Sequence, residues 1–197
     1  MSLLRSAIAR RFGWMLLPLS LFAAVAAWAG PKEDLKALSV KFLALRSYHV
    51  SMVNSDKRMP KLEMDFVAPN RYRMQTPMGT QYVIGDTMHM TLDGRTMRVP
   101  MPKGTASQWR ESDRLFREMD QMKIEALGME AAGGKPARKY RMTQATGNPP
   151  TTSLIWVGMD GYPVKIETTG VAGGRTSTVS VHYSRFNDPG IKVEPPK

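Results

Sequence analysis

Between residues 31 and 48 the apolar side chains fall at Leu35, Leu38, Phe42 and Leu45, spaced i, i+3, i+7 and i+10, with Lys32, Glu33, Lys36 and Lys41 among the polar positions. That spacing predicts an amphipathic helix over 31–48. Pro31 suits its first turn, and Glu33 and Asp34 suit the positive end of its dipole. Beyond Tyr48 the period drops to 2. Leu62, Met64 and Phe66 alternate with Lys61, Glu63 and Asp65, and Tyr72 and Met74 alternate with Arg71 and Arg73 after the turn at Ala68-Pro69-Asn70. Tyr82 and Ile84 follow. Met88, Met90 and Leu92 then alternate with His89 and Thr91, and Met97, Val99 and Met101 with Thr96 and Arg98. Asp93-Gly94 between the last two runs is a hairpin signal. The pattern predicts an antiparallel meander of about five strands, each with one apolar face.

Residues 103–122 break the alternation. Thr105 and Gln108 have the spacing of a capping box, and Trp109, Ser112, Phe116 and Met119 share a helical face, so a second helix is expected over 105–122. Period 2 then returns. Glu125, Leu127 and Met129 lead to Gly133-Gly134. Tyr140 and Met142 alternate with Lys139 and Arg141, and Leu154 and Trp156 lie opposite Ile155 and Val157. Asp160-Gly161 marks another hairpin. Val164 and Ile166 alternate with Lys165 and Glu167, Val179, Val181 and Tyr183 give the last strand, and an extended tail is expected from Asn187. About ten short twisted strands cannot stay flat with both faces in water. They must close into a barrel, stack as a sandwich or wrap round the helices. Two helices, one before each meander, favour wrapping. The fold class is α+β, mainly β.

The N-terminus has a separate character. Arg5, Arg10 and Arg11 precede an uncharged, mostly apolar run from Trp14 to Trp28, and Ala27-Trp28-Ala29 places small residues before Gly30. This is the pattern of a cleavable export signal over 1–29. The run is shorter than the roughly 20 residues of a membrane span and contains Pro18. A single domain, 30–197, is expected to remain, soluble in a Gram-negative periplasm. The whole chain has 28 Lys+Arg against 17 Asp+Glu, and losing the signal would remove three arginines and no acids. Such a surface favours acidic partners or anionic headgroups. Export argues against nucleic acid.

Chemistry is sparse. With no Cys there is no disulfide, thiolate metal site or lipid-modified cysteine. No nucleophile elbow, zinc-protease motif, P-loop or dinucleotide fingerprint occurs, so neither an enzyme nor a cofactor is expected. Glu63 and Asp65 share a strand face, but basic residues at 61, 71 and 73 make cross-strand ion pairs the simpler reading. Methionine is the compositional outlier, with 16 in 197 residues. Three readings remain: an ordinary core, a pliable cavity for acyl chains, or soft thioether ligation of Cu(I) by Met88-His89-Met90 with Met97 or Met101. On a strand His89 points away from both flanking methionines, which weighs against the last.

Several segments together resemble the LolA-like lipoprotein-carrier superfamily, which includes LolA, LolB and LppX/LprG-type lipid carriers. Phe66 to Met74 resembles a strand pair of the type P-x-x-[FY]-R-[ML]. Val83 to Leu92, with Asp93-Gly94, resembles the hairpin that follows. Trp156-Val157-Gly158-Met159-Asp160-Gly161-Tyr162-Pro163-Val164-Lys165 resembles a later hairpin, and Tyr183 to Asp188, leading to Ile191 and Pro195, resembles the closing strand and tail. The likeness covers most of residues 31–196. It implies an incomplete antiparallel β-barrel of about 10–11 strands whose mouth is covered by the helices, and a cavity receiving acyl chains of a lipid or lipoprotein carried between envelope membranes. The expected cavity residues are Leu62, Met64, Phe66, Tyr72, Met74, Tyr82, Ile84, Met88, Met90, Met97, Val99, Trp109, Phe116, Met119, Met142 and Trp156. The resemblance implies that Arg73 helps hold the lid. Arg71, Arg73, Lys61 and Arg98 either steer anionic headgroups or form a charged surface. The inner face leans on Met where LolA cavities are aromatic, and the tail looks closer to the LppX type. A monomer is expected, with protein partners at the two membranes left open. The alternative is a non-carrier module of the same fold, a protein-binding stress sensor resembling the RseB N-terminal domain.

Overall fold

The computed structural model describes residues 30–56, 58–77, 79–92, 95–108, 118–144, 151–172 and 175–195. Helix α1 (Pro31–Leu43) has Pro31 in its first turn beside Glu33 and Asp34, as the sequence suggests. It ends at Leu43, not at Tyr48. The strand β1 (Ser47–Asn54) begins where the helical spacing still ran on, because Tyr48, Val50 and Met52 also alternate and face the core as a strand. Leu45, outside the helix, is buried all the same.

Then follow β2 (Leu62–Val67), β3 (Arg71–Thr76), β4 (Gly79–Ile84), β5 (Thr87–Leu92) and β6 (Arg95–Pro100). Leu92 pairs with Arg95, and the expected turn residues Asp93 and Gly94 between them lie outside the described residues. Helix α2 covers Thr105–Gln108, and a 3-10 turn covers Glu118–Gln121. The helix expected over 105–122 therefore does not reach its end: β7 (Met122–Ala132) starts at Met122. Thr105 is the first residue of α2, and its hydroxyl donates to the Pro102 carbonyl at 2.8 Å. Trp109 and Phe116 lie outside the described residues. The chain closes with β8 (Lys135–Gln144), β9 (Thr151–Gly158), β10 (Pro163–Ala172) and β11 (Arg175–Ser184). At the β9–β10 turn Gly161 takes φ +77, a conformation costly for any residue with a Cβ.

All strands form one antiparallel sheet in the order β6-β5-β4-β3-β2-β1-β11-β10-β9-β8-β7. The two meanders join where β1 pairs β11. The end strands β6 and β7 do not pair, so the barrel is incomplete. Helix α1 lies on the apolar inner face. Its Phe42 and the following Leu45 pack with Tyr48, Phe66, Tyr72 and Val83, while Leu35 and Leu38 pack with Met119, Tyr140, Met142 and Ile155. Each large side chain removed from water contributes about 1.5–3 kcal/mol, so the helix fastens both halves of the sheet. Its ends are tied as well. Asp34 accepts hydrogen bonds from Tyr140 at 2.6 Å and Arg138 at 3.2 Å, and the Lys41 ammonium donates to the Asp160 carbonyl.

The tail is more ordered than an extended strap. Asn187 N–H donates to Ser47 O at 2.8 Å, Asn187 Oδ1 accepts from Arg46 N–H at 2.8 Å, and Ile191 and Val193 are buried. No described helix is long and apolar enough to cross a membrane.

Candidate functional site

The strand register sorts the inner face into rows that cross the sheet. One row runs Tyr48, Phe66, Tyr72, Val83, Met88, Val99. Its first members stack as an aromatic ladder under α1. Phe42 and Tyr48 have ring centroids 5.0 Å apart, Tyr48 and Phe66 4.8 Å, and Phe66 and Tyr72 5.2 Å. The next row runs Val50, Met64, Met74, Gln81, Met90, Met97. A third starts with Met52 and Leu62. Burial falls away from the ladder: Met64, Met74 and Met90 are half-buried, while Met97 and Val99 on β6 are 41% and 43% exposed. An apolar surface rich in thioethers thus continues past the part of the sheet that α1 fills.

Of the expected cavity residues, the register therefore brings Leu62, Met64, Phe66, Tyr72, Met74, Met88, Met90, Met97 and Val99 onto one face. Met142 lies on the same face of β8, packed with Met119 under Leu35 and Leu38. Three expected members are on the other face. Tyr82 pairs with Arg73 and Ile84 with Arg71, while it is Val83 between them that meets Tyr72. Trp156 is also outward, 3% exposed, with the Lys139 and Lys165 ammonium groups 4.7 and 4.6 Å from its ring centroid. In both strands the apolar residues on the two faces are similar in size, so alternation could not say which set faced the helix.

Arg73 extends from the outer face, and its Nε donates to Asp65 Oδ2 at 3.0 Å, with Nη2 on the same oxygen. Asp65 also meets His49 Nδ1 at 2.8 Å, and His49 Nε2 meets Glu63 at 3.0 Å. Burial raises the Asp65 carboxyl, but hydrogen bonds and charge from His49 and Arg73 outweigh it and hold the group below the usual range. Arg73 therefore braces β2 against β3 on the side away from α1 and α2. Arg71, also on the outer face, is exposed. The residue that reaches α2 is Tyr72, whose hydroxyl donates to the Ala106 carbonyl at 3.0 Å in a buried setting.

The Cu(I) arrangement does not form. His89 faces outward, paired with Tyr82, while Met88 and Met90 face inward. Among the described residues no group of three His, Asp or Glu side chains is placed to hold a metal ion.

No family model matches the sequence, and no curated protein matches it. Solved structures do. The lipoprotein LppX of Mycobacterium tuberculosis superposes with a TM-score of 0.61 at 15% identity, over 83% of this chain and 98% of LppX. LprF from Mycobacterium bovis gives 0.63 at 16% identity, over 84% of this chain and 96% of LprF. The chain shares its fold with LppX and LprF. Within that fold, the methionines of β2 to β6 run from half-buried Met64, Met74 and Met90 to exposed Met97. An apolar hollow of about 220 Å³ lies at the start of α1, lined by Pro31, Asp34, Met129 and Tyr140 among others.

Proposed function

We propose that the protein is a periplasmic carrier that holds the acyl chains of a lipid or lipoprotein against the inner face of its sheet. In this reading residues 1–29 are removed on export and 30–197 act as one non-catalytic domain. The observation that carries it is the row Met64, Met74, Met90, Met97, half-buried to exposed and continuous with the buried ladder beside it. Thioether chains repack round variable apolar ligands, and each buried methylene contributes about 0.8 kcal/mol. One long chain therefore gains affinity without polar contacts. The similarity in fold to the lipoprotein LppX supports the same reading.

The centre of the sheet is already filled by Phe42, Leu45 and Leu35. A ligand deeper than the methionine row would have to displace α1, which packs on both halves of the sheet, or α2, which is fastened through Tyr72. The test is uptake of a fluorescent fatty acid by the exported, purified protein. Saturable uptake that Met90→Arg or Met97→Arg abolishes, with the fold intact by circular dichroism, is the expected result. Absence of uptake would move the assignment to a protein-binding module with a filled core, the reading that the packed centre favours.

A further inference from the structure

Near the C-terminal end of α1, whose Lys41 reaches the Asp160 carbonyl, three segments meet around a second hollow. The β7–β8 turn brings Gly133 and Lys135, the β9–β10 loop brings Met159 and Asp160, and the end of β11 brings His182, Ser184 and Arg185. His182 and Ser184 are on the outer face, opposite Ser51 and His49 of β1. The space enclosed is about 580 Å³, within the roughly 300–1,000 Å³ of small-molecule sites.

Its walls combine two properties. One is apolar. Val164 belongs to a cluster with Ala132, Ala137 and Trp156, and beside it Met159 is 68% exposed, the kind of surface that a ligand would cover. The other is unbalanced positive charge. Several cations of the outer face are matched: Lys139 with Glu130, Lys165 with Glu167, Arg141 with Glu125 and Arg73 with Asp65. In the groove Lys135 and His182 have no carboxylate partner among the described residues. The lining acid, Asp160, has its carboxylate turned back to the backbone N–H of Tyr162 at 3.1 Å. Arg185, at φ 55, pairs through its Nε with the Asp188 carboxylate at 2.8 Å, so its charge is matched.

We propose that this groove binds the phosphate group of an anionic amphiphile, with Lys135 and His182 meeting the phosphate and Met159 and Val164 meeting its apolar part. The groove shares no lining residue with the methionine row of β2 to β6 and does not depend on the carrier reading.

The experiment is calorimetric titration of the exported protein with three soluble probes: dihexanoyl phosphatidylglycerol below its micelle concentration, dihexanoyl phosphatidylcholine, and inorganic phosphate. The expected result is saturable binding of the phosphatidylglycerol, about tenfold or more tighter than either of the others. Lys135→Glu, at the exposed start of β8, should weaken it about tenfold or more. Ser184→Trp should block the groove, and Met97→Arg on the inner face should leave the preference for phosphatidylglycerol unchanged. Equal affinity for phosphatidylcholine overturns the role of charge, and equal affinity for inorganic phosphate overturns the amphiphile. A preference that survives both Lys135→Glu and Ser184→Trp, or that Met97→Arg removes, overturns the location.

Discussion

The hydroxyl of Tyr72 on β3 donates to the carbonyl of Ala106 on α2 at 3.0 Å, with both residues about 1% exposed. A buried bond of this kind contributes about 0.5–1.5 kcal/mol net, and more is lost if the carbonyl is left without a donor. Tyr72→Phe should therefore lower unfolding free energy by about 1 kcal/mol in urea titration. Because it loosens α2, it should also speed uptake of a fluorescent fatty acid. Lower stability with unchanged uptake kinetics would detach α2 from any gating role.

Tyr140 and Tyr183 make stability fall at alkaline pH. Burial, and for Tyr140 the neighbouring Asp34 carboxylate, push both phenols up to about 12 from the ordinary 10.0. The folded protein thus keeps two protons that the unfolded chain releases first. The stabilisation is complete below pH 10 and is lost between pH 10 and 12, since stability falls with pH wherever the unfolded state binds fewer protons. Urea midpoints measured from pH 9 upward should fall, and Tyr183→Phe should make the decline shallower. An unchanged slope in that variant would remove Tyr183 as its cause.

At the acid end Asp65 has the opposite sign. Its carboxyl is held below the ordinary 3.8, so its contribution is present at neutral pH and is lost as pH falls through the lowered value. Asp65→Asn should cost about 2 kcal/mol at pH 7, the scale of hydrogen bonds to a charged group, and should flatten the decline below pH 4. Fatty-acid uptake should be unaffected, because His49, Asp65 and Arg73 face away from α1.

Trp156 and Met97 separate stability from binding. Trp156→Ala empties a packed position on the outer face and should cost about 3–5 kcal/mol without changing acyl affinity in protein that remains folded. Met97→Arg lies on an exposed stretch of β6 and should change stability by less than about 1 kcal/mol while abolishing uptake. Denaturant titration and probe binding on the same two variants provide the comparison.

Much of the fold was legible from periodicity. The alternation at Leu62-Met64-Phe66 and at Met88-Met90 identified strands and their inward faces, because one face of each was polar. It failed where that contrast vanished. Residues 45–48 satisfied both a helical and a strand spacing, and the tertiary pairing of β1 with β2 and β11 decided for the strand. Gln81-Tyr82-Val83-Ile84 and Leu154-Ile155-Trp156-Val157 carry apolar side chains on both faces, and only the register shows that Val83 and Ile155 face inward. Arg73 was placed by resemblance, and its role followed from partners distant in sequence, Asp65 and His49. Tyr72, one residue before it in the same motif, was the residue that reached α2. The groove at Lys135, Met159 and Arg185 had no local signature, because it is assembled from three separate turns.

The central claim is that the inner face carries acyl chains, and the most direct measurement is the native mass of protein purified gently from periplasm, set against its denatured mass, with extraction of whatever accounts for the difference. The account predicts a stoichiometric acyl-bearing lipid or lipoprotein, missing from folded Met90→Arg and Met97→Arg protein. Identical native and denatured masses, with no uptake of added lipid, would contradict it.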